Sequence, residues 1–310
     1  MVDASHADAT HGADLSHITL AAGWSVEEFR DLAALYPYVD QQFVDGPETY
    51  SNQVARPFAI AGGMGESLGV VAGRAILSVT ATTFAVHDYG HHAPNTPPFP
   101  DHISSALWRL DDTLSVTSSS ANAGDGVFSI SSSWSITPAY TTNNVRDVAL
   151  DPDGGFDAVG APSLYYGDMS GVYRLFGNVM IVPSSDATSL HFVDGALIYV
   201  HSTSDASADL YQVASMTHTQ TLLLHAGAID LGEGPTPAPY LAWAVLDAAR
   251  LGRVDPTEPS GFGEVASTTP DYTWLGAMAP PQGHALGDAT YVIESNRALG
   301  IDRVLRFTHL

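Results

Sequence analysis

Alternation of apolar and polar residues marks the middle of the chain as β-structure. From Val127 to Tyr140, Phe128, Ile130, Trp134 and Ile136 alternate with serines, which predicts strand with one buried and one wet face. Ile76 to Val86 is rich in Thr and β-branched residues, Leu114 and Val116 alternate with polar partners, and Tyr173 to Val182 is almost continuously apolar. Leu190–Val193 and Ala196–Val200 flank Asp194-Gly195, a pair suited to the positive φ angles of a two-residue hairpin turn. Further strands are expected at Gln220 to Ala228, Tyr291 to Glu294 and Arg303 to Thr308.

Two segments carry helix punctuation. Ser25 and Glu28 form a capping box, Trp24 can staple onto Phe29, and Val26, Phe29, Leu32, Ala33 and Tyr36 share a face before Pro37. The second starts at Thr236-Pro237, runs through Tyr240, Leu241, Trp243, Val245, Leu246 and Leu251, and stops at Gly252. Being apolar almost all round, it is expected to be buried.

Many strands, two short helices and long loops predict a mainly β protein with a β-sandwich or jelly-roll-like body. Residues 1–18, rich in Ala, Asp, His and Ser, read as a flexible arm. Residues 19–310 form the β-rich body, and four prolines between Ala93 and His102 mark a subdomain boundary near 93–102. Asp255 to Gly287 is too long for an ordinary connection and suggests a functional or partner-covering loop. No internal repeat of fixed period stands out.

Charge changes the picture. The 310 residues hold 34 Asp plus Glu against 11 basic residues, all arginine, for a formal net charge of −23. Such a surface repels nucleic acid and anionic membranes, so neither direct nucleic-acid binding nor membrane insertion is expected. Carboxylates that repel one another at low ionic strength are screened at about 1 M salt, where the Debye length is about 3 Å. Salt adaptation follows. Charged residues are only 15% of the chain, which fits surface buried against neighbouring subunits. Without cysteine there are no disulfides or thiolate metal sites. No signal peptide is recognisable, so synthesis in the cytoplasm is expected.

Three short patterns carry candidate chemistry. Gly65-Glu66-Ser67-Leu68-Gly69 matches the nucleophile elbow, G-x-S-x-G, after an apolar run from Phe58 to Ala61. In this it resembles the serine esterases and lipases of the α/β-hydrolase type, and the resemblance implies Ser67 as nucleophile with a histidine base and an acid. His87-Asp88-Tyr89-Gly90-His91-His92, with His102 nearby, gathers imidazoles suited to zinc, nickel or copper, making His87, His91 and His92 candidate ligands. Asp151, Asp153 and Asp157 around Gly154-Gly155 resemble the start of a calcium loop, although Pro162 at the twelfth position supplies no carboxylate. A divalent cation is the one cofactor these residues leave room for. His191, His201, His218 and His225 lie in apolar strands and read as core or interface histidines.

No complete catalytic set emerges. The β-rich body, terminal arm and long loops point to a structural assembly protein, a capsid, vertex or tail component of a halophilic virus, located in the virion. Its partners would be copies of itself or other shell proteins. One alternative is a hydrolase using Ser67 or the histidine metal site. Another is a carbohydrate- or receptor-binding module, with Trp108, Trp134, Tyr165 and Tyr166 as stacking faces. The charge balance also predicts that the melting temperature climbs as KCl is raised from about 0.1 M to about 1 M. A salt-independent melt would remove the salt-adaptation reading.

Overall fold

The computed structural model describes residues 13–32, 42–45, 48–51, 54–61, 67–73, 75–88, 103–108, 114–118, 126–131, 136–141, 145–183, 186–193, 195–203, 206–232, 234, 236–280 and 285–310. Every regular element among them is a β-strand. Strands β1 (Ile18–Leu20) and β2 (Trp24–Asp31) come first, then a hairpin of β3 (Gln42–Asp45) and β4 (Glu48–Ser51). Blade 1 holds β5 (Val54–Ala61), β6 (Leu68–Gly73), β7 (Ala75–Val79) and β8 (Phe84–Asp88). Blade 2 holds β9 (Ile103–Trp108), β10 (Leu114–Ser118), β11 (Gly126–Ile130) and β12 (Ile136–Thr141). Blade 3 consists of β13 (Asp147–Asp151), β14 (Ser163–Gly167), β15 (Gly171–Arg174) and β16 (Val179–Pro183). Blade 4 consists of β17 (Ala187–Val193), β18 (Ala196–Ser202), β19 (Ala208–Val213) and β20 (Gln220–Ala226). In blade 5, β21 (Ile229–Leu231), β22 (Ala242–Leu246), β23 (Arg250–Val254) and β24 (Phe262–Thr268) gain β1 on the outer edge. In blade 6, β25 (Thr273–Met278), β26 (Thr290–Asn296) and β27 (Ile301–His309) gain β2.

The first strands of the six blades touch in cyclic order, β5, β9, β13, β17, β21 and β25, and β25 returns to β5. This is a β-propeller, with antiparallel blades around a central channel. Its hydrophobic core is divided into slabs between neighbouring blades. One slab joins Ala149, Val172 and Val182 of blade 3 to Leu190, Leu197 and Tyr199 of blade 4. Another joins Met278, Tyr291 and Ile293 of blade 6 to Leu68, Val70 and Leu77 of blade 1, across the point where the ring closes.

The expected β-sandwich or jelly roll with two helices is therefore corrected to an all-β propeller. A blade is covered on both faces, so its middle strands lose the alternation that distinguishes a half-buried strand. Every residue of β22, Ala-Trp-Ala-Val-Leu, is buried, and such a run has the apolar-all-round character of a buried helix. The segment after Thr236 is a turn followed by β22 and β23, joined where Asp247 and Ala248 both take positive φ (54° each) and the Ala249 amide donates to the Leu246 carbonyl. Neither residue is glycine, so nothing in the composition announces the turn. Gly252 lies inside β23 and does not end a helix; a Cβ there would meet the Gly263 carbonyl oxygen at 2.5 Å. The segment after Trp24 is likewise a strand, paired along β27 from Trp24↔His309 to Asp31↔Arg303. Ser25, at the expected cap, donates its hydroxyl to the Thr308 carbonyl instead.

The hairpin expected at Asp194-Gly195 joins β17 to β18, with Val193 opposite Ala196 and Gly195 at φ 72°. Residues 1–12 and the 93–102 boundary lie outside the described residues. Within Asp255–Gly287, the structure places β24 and β25 in what the sequence suggested was one long loop.

Blade 6 is completed by β2 on its outer edge, from the opposite end of the chain. The join is reinforced by a buried polar network. Arg303 donates through Nε to Glu294 (2.8 Å), and through its other nitrogens to Glu28 and the Asp14 carbonyl. Glu294, fully buried, also accepts from Trp274 Nε1 (2.9 Å) and contacts His17 Nε2 (2.9 Å), whose ring stacks on Tyr272. Removing one partner of a buried pair strands the other charge, typically at about 3–5 kcal/mol. Arg303→Met is expected to lower unfolding stability by about that amount in a denaturant titration. A loss near zero would show that closure does not depend on this pair.

Candidate functional site in the central channel

Three successive innermost strands are tied together by polar side chains that reach the backbone of the next strand. Asp147 on β13 accepts from the Leu190 amide of β17 (2.6 Å). Ser189 on β17 accepts from the Leu231 amide of β21 (3.2 Å). Asp230 on β21 accepts through Oδ2 from the Gly276 amide of β25 (2.8 Å). Strand-edge amides facing an axis lack an in-sheet partner, and these side chains supply one. Asp147 spends its second oxygen on the Val148 amide.

Asp230 differs from the other two. Ile229 and Leu231 point into the slab shared with blade 4, so Asp230 emerges from the opposite face, towards β25. Its side chain is solvent-exposed, yet surrounding protein desolvates the carboxyl, as fits a residue on a channel wall. That enclosure raises its carboxyl pKa to about 6, partly offset by the Gly276 amide. Among the described residues none donates to its Oδ1, which is left for water or a ligand.

His191 lies two residues beyond Ser189 on β17. Leu190 and Phe192 pack towards blade 3, which leaves His191 on the other face, where burial pushes its pKa down to about 4. It is neutral at physiological pH.

The residues singled out from sequence are scattered. Ser67 stands just before β6, whose neighbours β5 and β7 are antiparallel strands of one blade. The strand-to-helix turn of a nucleophile elbow is thus not what surrounds it; residues 62–66 lie outside the described residues. His87 is on β8, the outer strand of blade 1, with its pKa lowered by burial. His91, His92 and His102 lie outside the described residues. Asp151 accepts from the Phe156 amide and Asp153 from the Gly155 amide, so both carboxylates shape their own turn. Asp151 is pushed up in pKa, chiefly by desolvation. Asp157 turns elsewhere, to the Tyr165 hydroxyl (3.0 Å), His218 Nε2 (2.9 Å) and Arg174 (3.6 Å). Among the described residues no three His, Asp or Glu side chains converge as a metal site. Tyr165 and Tyr166 are fully buried in β14 and present no stacking face.

Sequence reading missed Asp147, Ser189 and Asp230. The one available signal was an acid alone between apolar neighbours, Ile229-Asp230-Leu231, in a strand too short to be recognised by alternation.

No protein-family model matches the chain, and no curated protein sequence matches it. Solved structures do. A protein provisionally described as a gluconolactonase aligns at a TM-score of 0.55 and 12% identity, over 93% of this chain and 93% of its own. A gluconolactonase from Xanthomonas campestris aligns at 0.54 and 11%, over 91% of this chain and 94% of its own. At such identities the likeness establishes the fold, a β-propeller along nearly the whole chain. The virion reading, with its capsid, vertex or tail role, is overturned: the β-rich body is a propeller and not jelly-roll-like, and these two structures are named as gluconolactonases.

The two perturbed groups predict opposite pH dependences of stability. Asp230 holds its proton more tightly folded than unfolded, so its contribution falls as pH rises from about 4 to about 6. His191 holds its proton less tightly folded, so its contribution grows as pH rises from about 4 to about 6.5. Asp230→Asn should therefore steepen the rise of stability across this window, and His191→Gln should flatten or reverse it, as read by chemical denaturation at stepped pH. Identical profiles for both variants and the parent would contradict these environments.

Proposed function

We propose that this protein is a hydrolase of small cyclic esters, with Asp230 on the channel wall as the general base. The observation that carries the reading is a single carboxylate, reachable along the channel, whose enclosure lifts its pKa to about 6. A carboxylate with that pKa is ionised at neutral pH yet basic enough to take a proton from an attacking water. The water adds to the lactone carbonyl, the ring C–O bond breaks, and the proton passes to the leaving alkoxide, so the product is an open-chain hydroxy acid. Oδ2 held by Gly276 fixes the carboxylate, and Oδ1 faces the water. The propeller likeness to proteins named as gluconolactonases supports the choice of substrate class. The strongly acidic surface supports a neutral substrate in place of a polyanion, with no direct nucleic-acid binding and no membrane insertion.

Hydrolysis of glucono-δ-lactone and of simpler γ- and δ-lactones, followed in a pH-stat, tests this directly. The rate is expected to rise through about pH 6 and level off above it, as the base ionises. Asp230→Asn is expected to lower kcat by about 10²- to 10⁴-fold. No turnover across the panel, or full activity in the variant, would sink the assignment.

A further inference from the structure

A second site lies between blades 5 and 6. Thr236 and Pro237 after β21, Ala279 and Pro280 after β25, the ends of β23 and β27 and the starts of β2 and β26 meet where the innermost strands finish. Between blades 5 and 6 they enclose a cleft of about 500 Å³, walled by Trp24, Trp243, Arg253, Asp288, Thr290 and His309.

Arg253 is its central feature. The guanidinium lies 3.7 Å from the Tyr240 ring centroid and 5.6 Å from those of both Trp24 and Trp243. Three rings thus surround the guanidinium carbon, and ring contacts of this kind use none of its five donors. Nε is buried with no hydrogen-bond partner, and among the described residues no carboxylate, carbonyl or hydroxyl accepts from any nitrogen of Arg253. Among the described residues, Arg146, Arg174, Arg250, Arg303 and Arg306 each reach a carboxylate, whereas Arg30, over the Phe84 ring, shares the buried, unpartnered Nε of Arg253. Asp288 lines the same cleft and Asp255 lies near enough to feel the Arg253 charge, but among the described residues neither accepts a hydrogen bond from it, so its donors are left for an anion.

We infer that this cleft binds a small organic carboxylate with a flat apolar body, its carboxylate paired edge-on with Arg253 and its body against Trp24 and Trp243. The fork of a guanidinium matches a carboxylate in two parallel hydrogen bonds, which a point charge cannot do. Asp288 and the Thr290 hydroxyl, on the blade 6 wall, suit a hydroxyl or ammonium substituent and disfavour a second anionic group on the ligand. The volume lies within the range of small-molecule sites. Asp230 is not among the residues that line the cleft, so this inference is tested independently of the lactone hydrolase reading.

The test uses the full chain labelled with 5-fluorotryptophan, titrated with benzoate and, in parallel, with its uncharged counterpart benzamide. Benzoate is expected to shift the Trp24 and Trp243 resonances saturably, with Trp274, buried in the core, unmoved; benzamide should bind at least about tenfold more weakly. Arg253→Gln should weaken benzoate by about tenfold or more, and Arg253→Lys, which keeps the charge and loses the fork, should fall between. Should Arg253→Gln not fold, the charge comparison and the resonance map on the unsubstituted protein decide alone. Equal binding of benzoate and benzamide, shifts spread over all tryptophans, or no saturation by about 50 mM would overturn the site.

Discussion

The structure depends on joining its two ends. In a ring of blades each sheet is covered only because the next one exists, and the last has no successor unless the chain returns to the first. Here β2 supplies the outer strand of blade 6, and Arg303 ties that join to Glu294, Glu28 and the Asp14 carbonyl. Glu294 is wholly buried, and its charge is tolerable because Arg303, Trp274 and His17 surround it. The slab between blades 6 and 1, with Tyr291 and Ile293 against Leu68 and Val70, exists only once this closure is made.

Two buried-type acids on neighbouring blades show how environment divides structural from chemical roles. Glu294 has a cation and several donors, and is spent on holding strands together. Asp230 has one backbone amide and an open channel. The first arrangement neutralises charge; the second leaves it raised in energy and poised to take a proton. Asp147 and Ser189 stand between these extremes, using oxygen atoms to satisfy amides that the axis would otherwise leave bare. The same logic separates Arg303 from Arg253. One guanidinium is consumed by carboxylates, while the other lies among aromatic rings with its Nε buried and unpartnered.

Local signals were legible where geometry demanded a particular residue. Gly195 marks the β17–β18 turn because a positive φ there favours glycine, and the apolar runs around it match the strands found. Alternation failed for β22, buried on both faces, and for the turn at Asp247 and Ala248, which adopts positive φ without glycine. The capping-box spelling at Ser25 and Glu28 was outweighed by pairing with β27, since a strand more than 270 residues away offers backbone hydrogen bonds that a local cap cannot match. The blades start roughly every 40 to 50 residues along the chain, but no sequence period accompanies them. Each slab needs only apolar residues of fitting volume, so different sequences serve equally well.

By itself, the sequence determined a β-rich, cysteine-free and strongly acidic chain, and it located many of the strands, because these follow from composition and from short-range periodicity. Tertiary structure alone decided that the strands form a closed ring of blades in place of a sandwich, since both share the same local pattern and differ only in which distant edges pair. It alone decided the sites as well. Asp230 and Gly276 are 46 positions apart, and Trp24 reaches the Arg253 cleft from the far end of the chain. An enclosed carboxylate and a caged guanidinium acquire their chemistry from neighbours that only the folded ring brings together.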